Sequence, residues 1–235
     1  KEEFKRLGIM GDWDHPYTTM TNAAEATIAS ELGKFLMDGS LYRGAKPVMW
    51  SPVEKTALAE AEVEYHDHTS TTIFVRFPIC IASIPAIEGA SIVIWTTTPW
   101  TMPGNRAVAY GPNIDYVIVE VTAVTEHSLA IVGEKIVLAE TRLVDVATTT
   151  GIASYIVKAR FKGSVLAGTI CKHPFHGKGY DYDVPALSAE FATTDEGTGI
   201  IHIAPGHGPD DWELGIANDI EIPQTVSEDG TYFDH

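Results

Sequence analysis

The stretch SIVIWTTTPWTMPGN, residues 91–105, is rich in hydroxyl side chains. The apolar run at its start predicts a buried strand, and Thr96, Thr97 and Thr98 extend that strand with hydroxyls that donate and accept hydrogen bonds. Pro99 then ends any strand ladder. The spacing predicts a row of hydroxyls at the mouth of a strand, where a polar ligand can be held, although β-propensity alone also explains such a run.

A second polar stretch, GTGIIHIAPGHGPDD, combines a short strand, a glycine turn and the start of a helix. Pro209 is suited to the first position of that helix, which puts Asp210 and Asp211 in its first turn. Either carboxylate could simply complement the helix dipole. His202 alternates with isoleucines on the strand and could be a core histidine. On residue types alone these alternatives stay open.

The composition excludes several classes of protein. The chain has 235 residues with 32 acidic and 16 basic side chains, so its formal net charge of -16 repels a polyanion such as RNA from the chain as a whole. No apolar run is long enough to span a bilayer, and no membrane partner is expected. Cys80 and Cys171 are too few for a disulfide framework, which suits a reducing compartment. The expected location is the cytoplasm, with an organellar matrix as the alternative.

Short β-branched and aromatic runs, separated by Gly, Pro and Asp turns, follow one another from Thr71 onward. They predict a mainly β fold with flanking helices (α+β), in which the sheet forms a closed or nearly closed barrel. The predicted strands are TIFVRF, SIVIWT, RAVAY, DYVIVEV, SLAIV, SYIVKARF and GIIHIA.

Three segments have the apolar spacing or composition of helices: residues 22–39, 133–143 and 210–218. Asn22 is the expected N-cap of the first. The chain is therefore expected to divide into a helical and linker segment, 1–66, and a barrel domain, 67–235.

Both polar stretches resemble one family closely. WTTTPWT followed by GNRA, together with GTGIIHIAPGHGPDDW, is similar to the editing domain of bacterial-type isoleucyl-tRNA synthetases. The related valine and leucine enzymes carry an arginine within the threonine stretch. FKRLGIMGDWDHPY and KPVMWSPVEKTALAEAEVEY resemble the segment that leads from the catalytic domain of the same synthetase to the editing domain.

The resemblance implies a β-barrel editing domain of a class I synthetase. Its expected activity is hydrolysis of the ester in valyl-tRNA(Ile), with valyl-adenylate as a second candidate substrate, inside an enzyme that ligates isoleucine to its tRNA. Isoleucyl-tRNA synthetases are the standard example of this two-site discrimination. The implied partners are the 3′-terminal adenosine of tRNA(Ile) carrying valine and the catalytic domain of the same synthetase.

The resemblance also assigns roles to residues. Asp211 is expected to bind the α-ammonium group of the substrate, for which a carboxylate is the natural counter-ion. His202 is expected to line the pocket near the amino-acid side chain. The predicted catalytic residues are Thr96, Thr97, Thr98 and Asp211, and the predicted substrate-binding residues are Trp100, Thr101, Asn105, His202 and Asp211.

Ester hydrolysis needs a positioned water and donors aimed at the developing oxyanion, which threonine hydroxyls and backbone N–H groups can supply. No general base is evident, so the neighbouring ribose hydroxyl is expected to help orient the water. The editing reaction is expected to need no cofactor, whereas the full-length synthetase uses ATP and Mg²⁺. Ser51 and Glu54 stand where many relatives have a Cys-x-x-Cys knuckle, so no zinc site is expected there.

Two alternatives remain. The first is a metal-dependent hydrolase that uses His202, His207 and Asp211, with Asp210 adjacent to them. His173 and His176 offer a second His-x-x-His pair. The second alternative is a non-catalytic insertion that binds tRNA or a partner domain. No Gly-x-Ser-x-Gly elbow and no phosphate-binding loop occurs in the sequence.

Overall fold

The computed structural model describes residues 1–233. The chain divides into two compact units, Lys1–Ala45 and Lys46–His235. The boundary predicted between residues 66 and 67 lies further along the chain and stays a prediction. In the described part of the chain, no helix is both long enough and apolar enough to cross a membrane.

The first unit contains helices α1 (Glu2–Arg6) and α2 (Asn22–Met37). The hydroxyl of Thr21 accepts a hydrogen bond from Ala24 N at 3.3 Å and caps α2. The prediction of Asn22 as the N-cap is therefore wrong by one residue, because the threonine hydroxyl one position earlier reaches the free N–H of the first turn.

The second unit is mainly β. A short hairpin pairs β1 (Trp50–Ser51) with β2 (Thr56–Ala57), and the two helices are α3 (Leu143–Thr150) and α4 (Pro209–Ala217). The large sheet consists of β3 (Ile73–Ile81), β4 (Ser91–Thr96), β5 (Ala107–Tyr110), β6 (Asp115–Val124), β7 (Lys135–Ala139), β8 (Ile152–Lys162), β9 (Ile170–Lys172), β10 (Asp183–Ser188) and β11 (Ile200–Ile203).

The strand order of the large sheet is β11-β5-β10-β9-β3-β4-β7-β6-β8. Most neighbours are antiparallel, whereas β4 pairs with β7 and β5 pairs with β10 in parallel. The mainly β fold with few helices is thus confirmed. A closed barrel is not confirmed, because within residues 1–233 the hydrogen-bonded order has two ends, β11 and β8. Near β11, however, Thr198 O accepts a hydrogen bond from Ala139 N at 2.8 Å, which joins the end of β7 to the start of β11.

Two predicted elements are wrong. SLAIV forms turns instead of a strand, and the helix predicted at residues 133–143 is replaced by β7. Ile136, Val137 and Leu138 are buried in that strand, paired with β4 on one side and β6 on the other. The apolar residues that predicted a helix are core residues of a strand, and that strand is buried on both faces of the sheet. The prediction also missed β9 and β10.

Tyr116 on β6 joins distant parts of the second unit. Its ring is fully buried, and its hydroxyl accepts a hydrogen bond from Gly111 N at 3.0 Å while donating one to Gly199 O at 2.7 Å. Gly199 is the residue directly before β11. A single buried hydroxyl therefore satisfies two main-chain groups and fixes the start of β11 relative to β6.

We expect Tyr116→Phe to lower the free energy of unfolding by roughly 1 to 3 kcal/mol, because it leaves a buried N–H and a buried carbonyl without their partner. Urea denaturation measures the change. Tyr155→Phe is the matched control, since the hydroxyl of Tyr155 has no hydrogen bond among the described residues. Equal stability of Tyr116→Phe and the wild type would show that the hydroxyl contributes nothing.

Candidate functional site

A cavity of about 470 Å³ lies where the end of β4, the loop before β11, β11 itself and the start of α4 meet. It brings together most of the predicted site residues although they come from two stretches about a hundred residues apart. Six of the eight predicted residues line it: Thr96, Thr97, Thr98, Thr101, His202 and Asp211.

The threonine stretch leaves the sheet at the mouth of this cavity. β4 ends at Thr96, and a tight 3₁₀ turn follows at Pro99–Gly104. Thr98 N donates a hydrogen bond to Thr96 Oγ1 at 3.1 Å, and the two hydroxyl oxygens are 3.2 Å apart. Thr97 and Thr98 are exposed. Their hydroxyls are therefore available to a ligand, in the row that the sequence predicts.

His202, on β11, is held through both ring nitrogens. Asn105 Nδ2 donates to Ala107 O at 2.8 Å, which fixes the amide so that Nδ2 also faces His202 Nδ1 at 3.2 Å. His202 Nδ1 must then accept, and the proton of the neutral ring lies on Nε2. That nitrogen is 2.8 Å from Thr101 Oγ1, which in turn donates to Thr98 O at 2.8 Å. One continuous chain of hydrogen bonds thus links both polar stretches.

Burial above all, together with the nearby His207 and His173, lowers the pKa of His202 to about 4. The ring is therefore neutral at pH 7. Because its two nitrogens are already engaged by Asn105 and Thr101, His202 forms a rigid wall of the cavity. Its chemistry is that of a fixed steric and hydrogen-bonding surface rather than of an acid or base.

Asp211 lies in the first turn of α4, which begins at Pro209 as the sequence predicts. Its Oδ2 accepts a hydrogen bond from Ala204 N at 2.8 Å. Burial raises the pKa of Asp211 to about 6, against the effect of that hydrogen bond, and the neighbouring Asp210 raises it as well. Asp210 is exposed to solvent. The structure therefore distinguishes the two carboxylates: Asp211 lines the cavity and Asp210 does not.

No Lys or Arg among residues 1–233 forms an ion pair with Asp211. At pH 7 the carboxylate is mostly ionised, half-buried and without a cationic partner. A carboxylate in this state has most to gain from a ligand that brings a positive charge.

Trp100 and Asn105 were predicted to bind substrate, but neither lines the cavity. Trp100 is half exposed on the turn after β4, with its ring edge-on to His207 at 5.1 Å. Asn105 is completely buried behind His202, and its Oδ1 has no hydrogen-bond partner among the described residues. The direct substrate contacts of these two residues stay predictions, and the visible role of Asn105 is to orient His202.

The sequence reasoning missed one wall of the cavity, the loop at residues 193–199. Arg142 holds this loop by donating from Nε to Gly197 O at 3.1 Å. Gly197 and Gly199 both have positive φ angles, of 66° and 75°. The paired glycines in GTG are the signal that could have indicated the loop, because a non-glycine residue rarely adopts that backbone.

The histidines of the metal-site alternative do not converge. His202 has both nitrogens engaged, and so has His173, which contacts Met102 O at 3.0 Å and Phe175 N at 3.1 Å. His176 pairs with Asp181 instead. Across residues 1–233, no three His, Cys, Asp or Glu side chains are grouped as metal ligands would be. Ser51 and Glu54, at the place of the zinc knuckle, hydrogen-bond to each other.

Residues 1–223 match the family model described as tRNA synthetases class I (I, L, M and V). The chain belongs to this family. It is 53% identical to the isoleucine–tRNA ligase of Gluconobacter oxydans over 233 residues, which covers 98% of this chain and 24% of that protein. It is 52% identical to the isoleucine–tRNA ligase of Pelagibacter ubique over 232 residues, or 99% of this chain and 25% of that protein.

The chain thus spans about a quarter of the length of the curated relatives it matches. Among solved structures, it is similar to GlLeuRS-CP1, with 17% identity, a TM-score of 0.48 and coverage of 65% of this chain and 66% of that one. It is also similar to the editing domain of P. knowlesi cytosolic leucyl-tRNA synthetase, with 13% identity, a TM-score of 0.47 and coverage of 61% of each chain.

Two titratable side chains of the cavity, His202 and Asp211, should affect the free energy of unfolding in opposite directions as the pH changes. The pKa of His202 is lower in the folded chain than in the unfolded one. Its contribution to the free energy of unfolding is therefore complete above pH 6.5 and is lost as the pH falls from 6.5 to about 4. The pKa of Asp211 is raised, so its contribution is present at low pH and is lost as the pH rises through 6. In the wild type the two effects partly cancel between pH 4 and 6.

We therefore expect the Asp211→Asn variant to show the pH dependence of stability that His202 causes. In that background the free energy of unfolding should fall by roughly 2 kcal/mol between pH 7 and pH 5, since each pKa unit corresponds to about 1.4 kcal/mol. Adding His202→Gln, which keeps a donor for Thr101, should remove most of this fall. Denaturant unfolding at each pH measures it. A fall of the same size in both variants would contradict a neutral His202.

Proposed function

We propose that this cavity hydrolyses the ester between valine and the 3′-terminal adenosine of tRNA(Ile), as the editing site of an enzyme that ligates isoleucine to that tRNA. The observation that carries the proposal is the Asp211 carboxylate, which forms no ion pair with a Lys or Arg of residues 1–233 and faces the same cavity as the threonine hydroxyls. An aminoacyl ester carries an α-ammonium group next to the carbonyl that water must attack. The cavity therefore offers both an anion and hydroxyl donors to one such substrate.

Asp211 would bind the ammonium group and so fix the position of the ester carbonyl. Entry of that cation would also favour the ionised carboxylate and lower its pKa. With the amino acid held in place, the exposed hydroxyls of Thr97 and Thr98 can orient a water and donate to the developing oxyanion. Positioning of this kind replaces the encounter of two free reactants with a reaction inside a single complex.

None of the predicted site residues in the cavity acts as an evident general base. His202 is neutral but has both nitrogens engaged, and Asp211 is occupied by the ammonium group. The ribose hydroxyl beside the ester is therefore assigned the role of helping to orient the water. In this mechanism the substrate supplies part of the catalytic apparatus.

The discrimination between valine and isoleucine would come from His202. Its ring is fixed by Asn105 and Thr101 and cannot turn aside to admit an extra methylene. Overpacking a rigid site by one such group costs about 1 to 3 kcal/mol. That cost is sufficient for valine to be hydrolysed preferentially.

The remaining partners follow from the family. The full-length synthetase would bind tRNA(Ile) largely through other parts of the chain, since the -16 net charge repels RNA. ATP and Mg²⁺ would serve ligation in the catalytic domain, with residues 1–66 leading from it. The hydrogen bond between Ala139 and Thr198 supports a nearly closed barrel for the editing domain. The cytoplasmic location stays a prediction.

The central test is deacylation of valyl-tRNA(Ile) and isoleucyl-tRNA(Ile) by this chain. We expect hydrolysis of the valyl ester, no effect of a chelator, and a loss of at least about 30-fold in kcat/KM for Asp211→Asn, since removing one partner of a buried charge pair costs about 2 kcal/mol or more. Asp210→Asn is the control of equal charge change and should keep its activity.

Inhibition by the chelator would favour the metal-dependent alternative. A folded chain that hydrolyses neither ester, while still binding tRNA, would identify it as a non-catalytic insertion. Equal losses in Asp210→Asn and Asp211→Asn would contradict a specific contact with the ammonium group.

Selectivity gives a second prediction. His202→Ala should increase the rate of isoleucyl-tRNA(Ile) hydrolysis relative to the valyl ester by about tenfold or more, because it opens the wall. His202→Gln should keep most of the selectivity, since it retains the bulk and a donor to Thr101. Competition assays with both esters measure the ratio. An unchanged ratio in His202→Ala would mean that another side chain forms the selective wall.

A further inference from the structure

Four aromatic side chains form a surface outside the cavity, three of them exposed and Tyr180 partly buried; we term this surface the aromatic patch: Trp100, Phe175, Tyr180 and Tyr232. Trp100 and Tyr232 are each 51% exposed and Phe175 is 38% exposed. They come from three separate places in the chain. Trp100 lies on the turn after β4, Phe175 and Tyr180 lie between β9 and β10, and Tyr232 lies near the end of the described residues.

Contacts connect the aromatic patch to the mouth of the cavity. The ring of Trp100 meets His207, a cavity residue, edge-on at 5.1 Å. The hydroxyl of Tyr232 donates to Trp100 O at 2.8 Å. His173, on which Tyr180 stacks, contacts Met102 O at 3.0 Å, two residues after Trp100. The aromatic patch therefore begins at the cavity and leads away from it.

A buried histidine supports the outer half of the aromatic patch. Tyr180 stacks on His173 at 4.7 Å with the ring planes 15° apart, and Phe175 lies edge-on to Tyr180 at 5.4 Å. His173 itself is fixed, because its Nε2–H donates to Met102 O and its Nδ1 accepts from Phe175 N. The rings are thus held in place before any ligand arrives, so binding would cost little side-chain entropy.

Charge does not explain this surface. The segment between β9 and β10 carries Lys178 near its centre, but Asp181 follows three residues later and pairs with His176. A ligand attracted to the aromatic patch must therefore be recognised by its flat faces more than by its charge. Unpaired nucleotides meet this requirement, since every base has a π-face that stacks on aromatic side chains.

We propose that the aromatic patch binds the unpaired nucleotides that precede the terminal adenosine of the RNA strand, by stacking their bases on Tyr180 and Phe175. The inference rests on the proposed function, because the cavity must hold the terminal nucleotide for its predecessors to reach this surface. Stacking on the aromatic patch allows an acidic protein to bind a polyanionic strand next to the cavity. The strand would be directed along the aromatic patch into the cavity.

The test uses the 235-residue chain and a single-stranded RNA tetranucleotide that ends in adenosine and carries 2-aminopurine at its second-last position. Binding should quench the 2-aminopurine fluorescence. Tyr180→Leu and Phe175→Leu should each weaken binding about tenfold, in line with 1 to 3 kcal/mol per stacked base. Tyr180→Phe keeps the ring and should bind like the wild type.

Tyr65→Leu is the matched control, because Tyr65 is an exposed aromatic residue outside the aromatic patch. It should leave binding unchanged. Affinity should also change little with salt concentration, whereas binding through phosphate contacts falls steeply as salt rises. Thermal unfolding of each variant establishes that the fold is retained.

Because the tetranucleotide carries no amino acid, this test is independent of ester hydrolysis. Quenching that depends on Tyr180 and Phe175 supports the inference even where valyl-tRNA is not hydrolysed, in which case only the proposed function fails. Hydrolysis of valyl-tRNA with a KM unaffected by Tyr180→Leu and Phe175→Leu, and without quenching, overturns the inference alone. Loss of stability in a longer synthetase carrying both substitutions, again without quenching, would mean that a protein segment covers these rings, and overturns it too.

Discussion

The chain of hydrogen bonds from Asn105 through His202 to Thr101 is the interaction on which the rest of the site depends. It joins two stretches about a hundred residues apart, and it fixes the tautomer and orientation of the central ring. Without these hydrogen bonds, the turn that carries Thr101 would not be joined to His202 on β11. The cavity has a definite shape because a buried polar network, with nearly all its members satisfied, has only one favourable arrangement.

His202 and Asp211 line the same cavity, and at pH 7 their shifted pKa values leave the imidazole neutral and the carboxylate mostly ionised. Burial accounts for both shifts, because it disfavours the charged form of either group. The consequence differs: a neutral His202 serves as a fixed wall, whereas the Asp211 carboxylate gains from a cationic ligand. A shared physical cause thus gives two residues of one cavity different charge states at pH 7.

The sequence predicts the elements that flank the cavity better than it predicts the rest of the sheet. The strand SIVIWT and the start of α4 at Pro209 follow from local rules on β-propensity and proline, and both are confirmed. The helix predicted at residues 133–143 failed because a strand buried on both faces has no alternation to distinguish it from a buried helix. Asn105 shows a further limit, because only the tertiary structure reveals that it lies behind His202 and not at the cavity surface.

The loop at residues 193–199 is fastened almost entirely by its main chain. Arg142 bonds to Gly197 O, Ala139 N to Thr198 O and the hydroxyl of Tyr116 to Gly199 O. The side chains of Asp195 and Glu196, which border the cavity, make none of these bonds. Evolution can therefore exchange these two acidic residues and retune the electric field at the entrance, while the outline of the entrance stays the same.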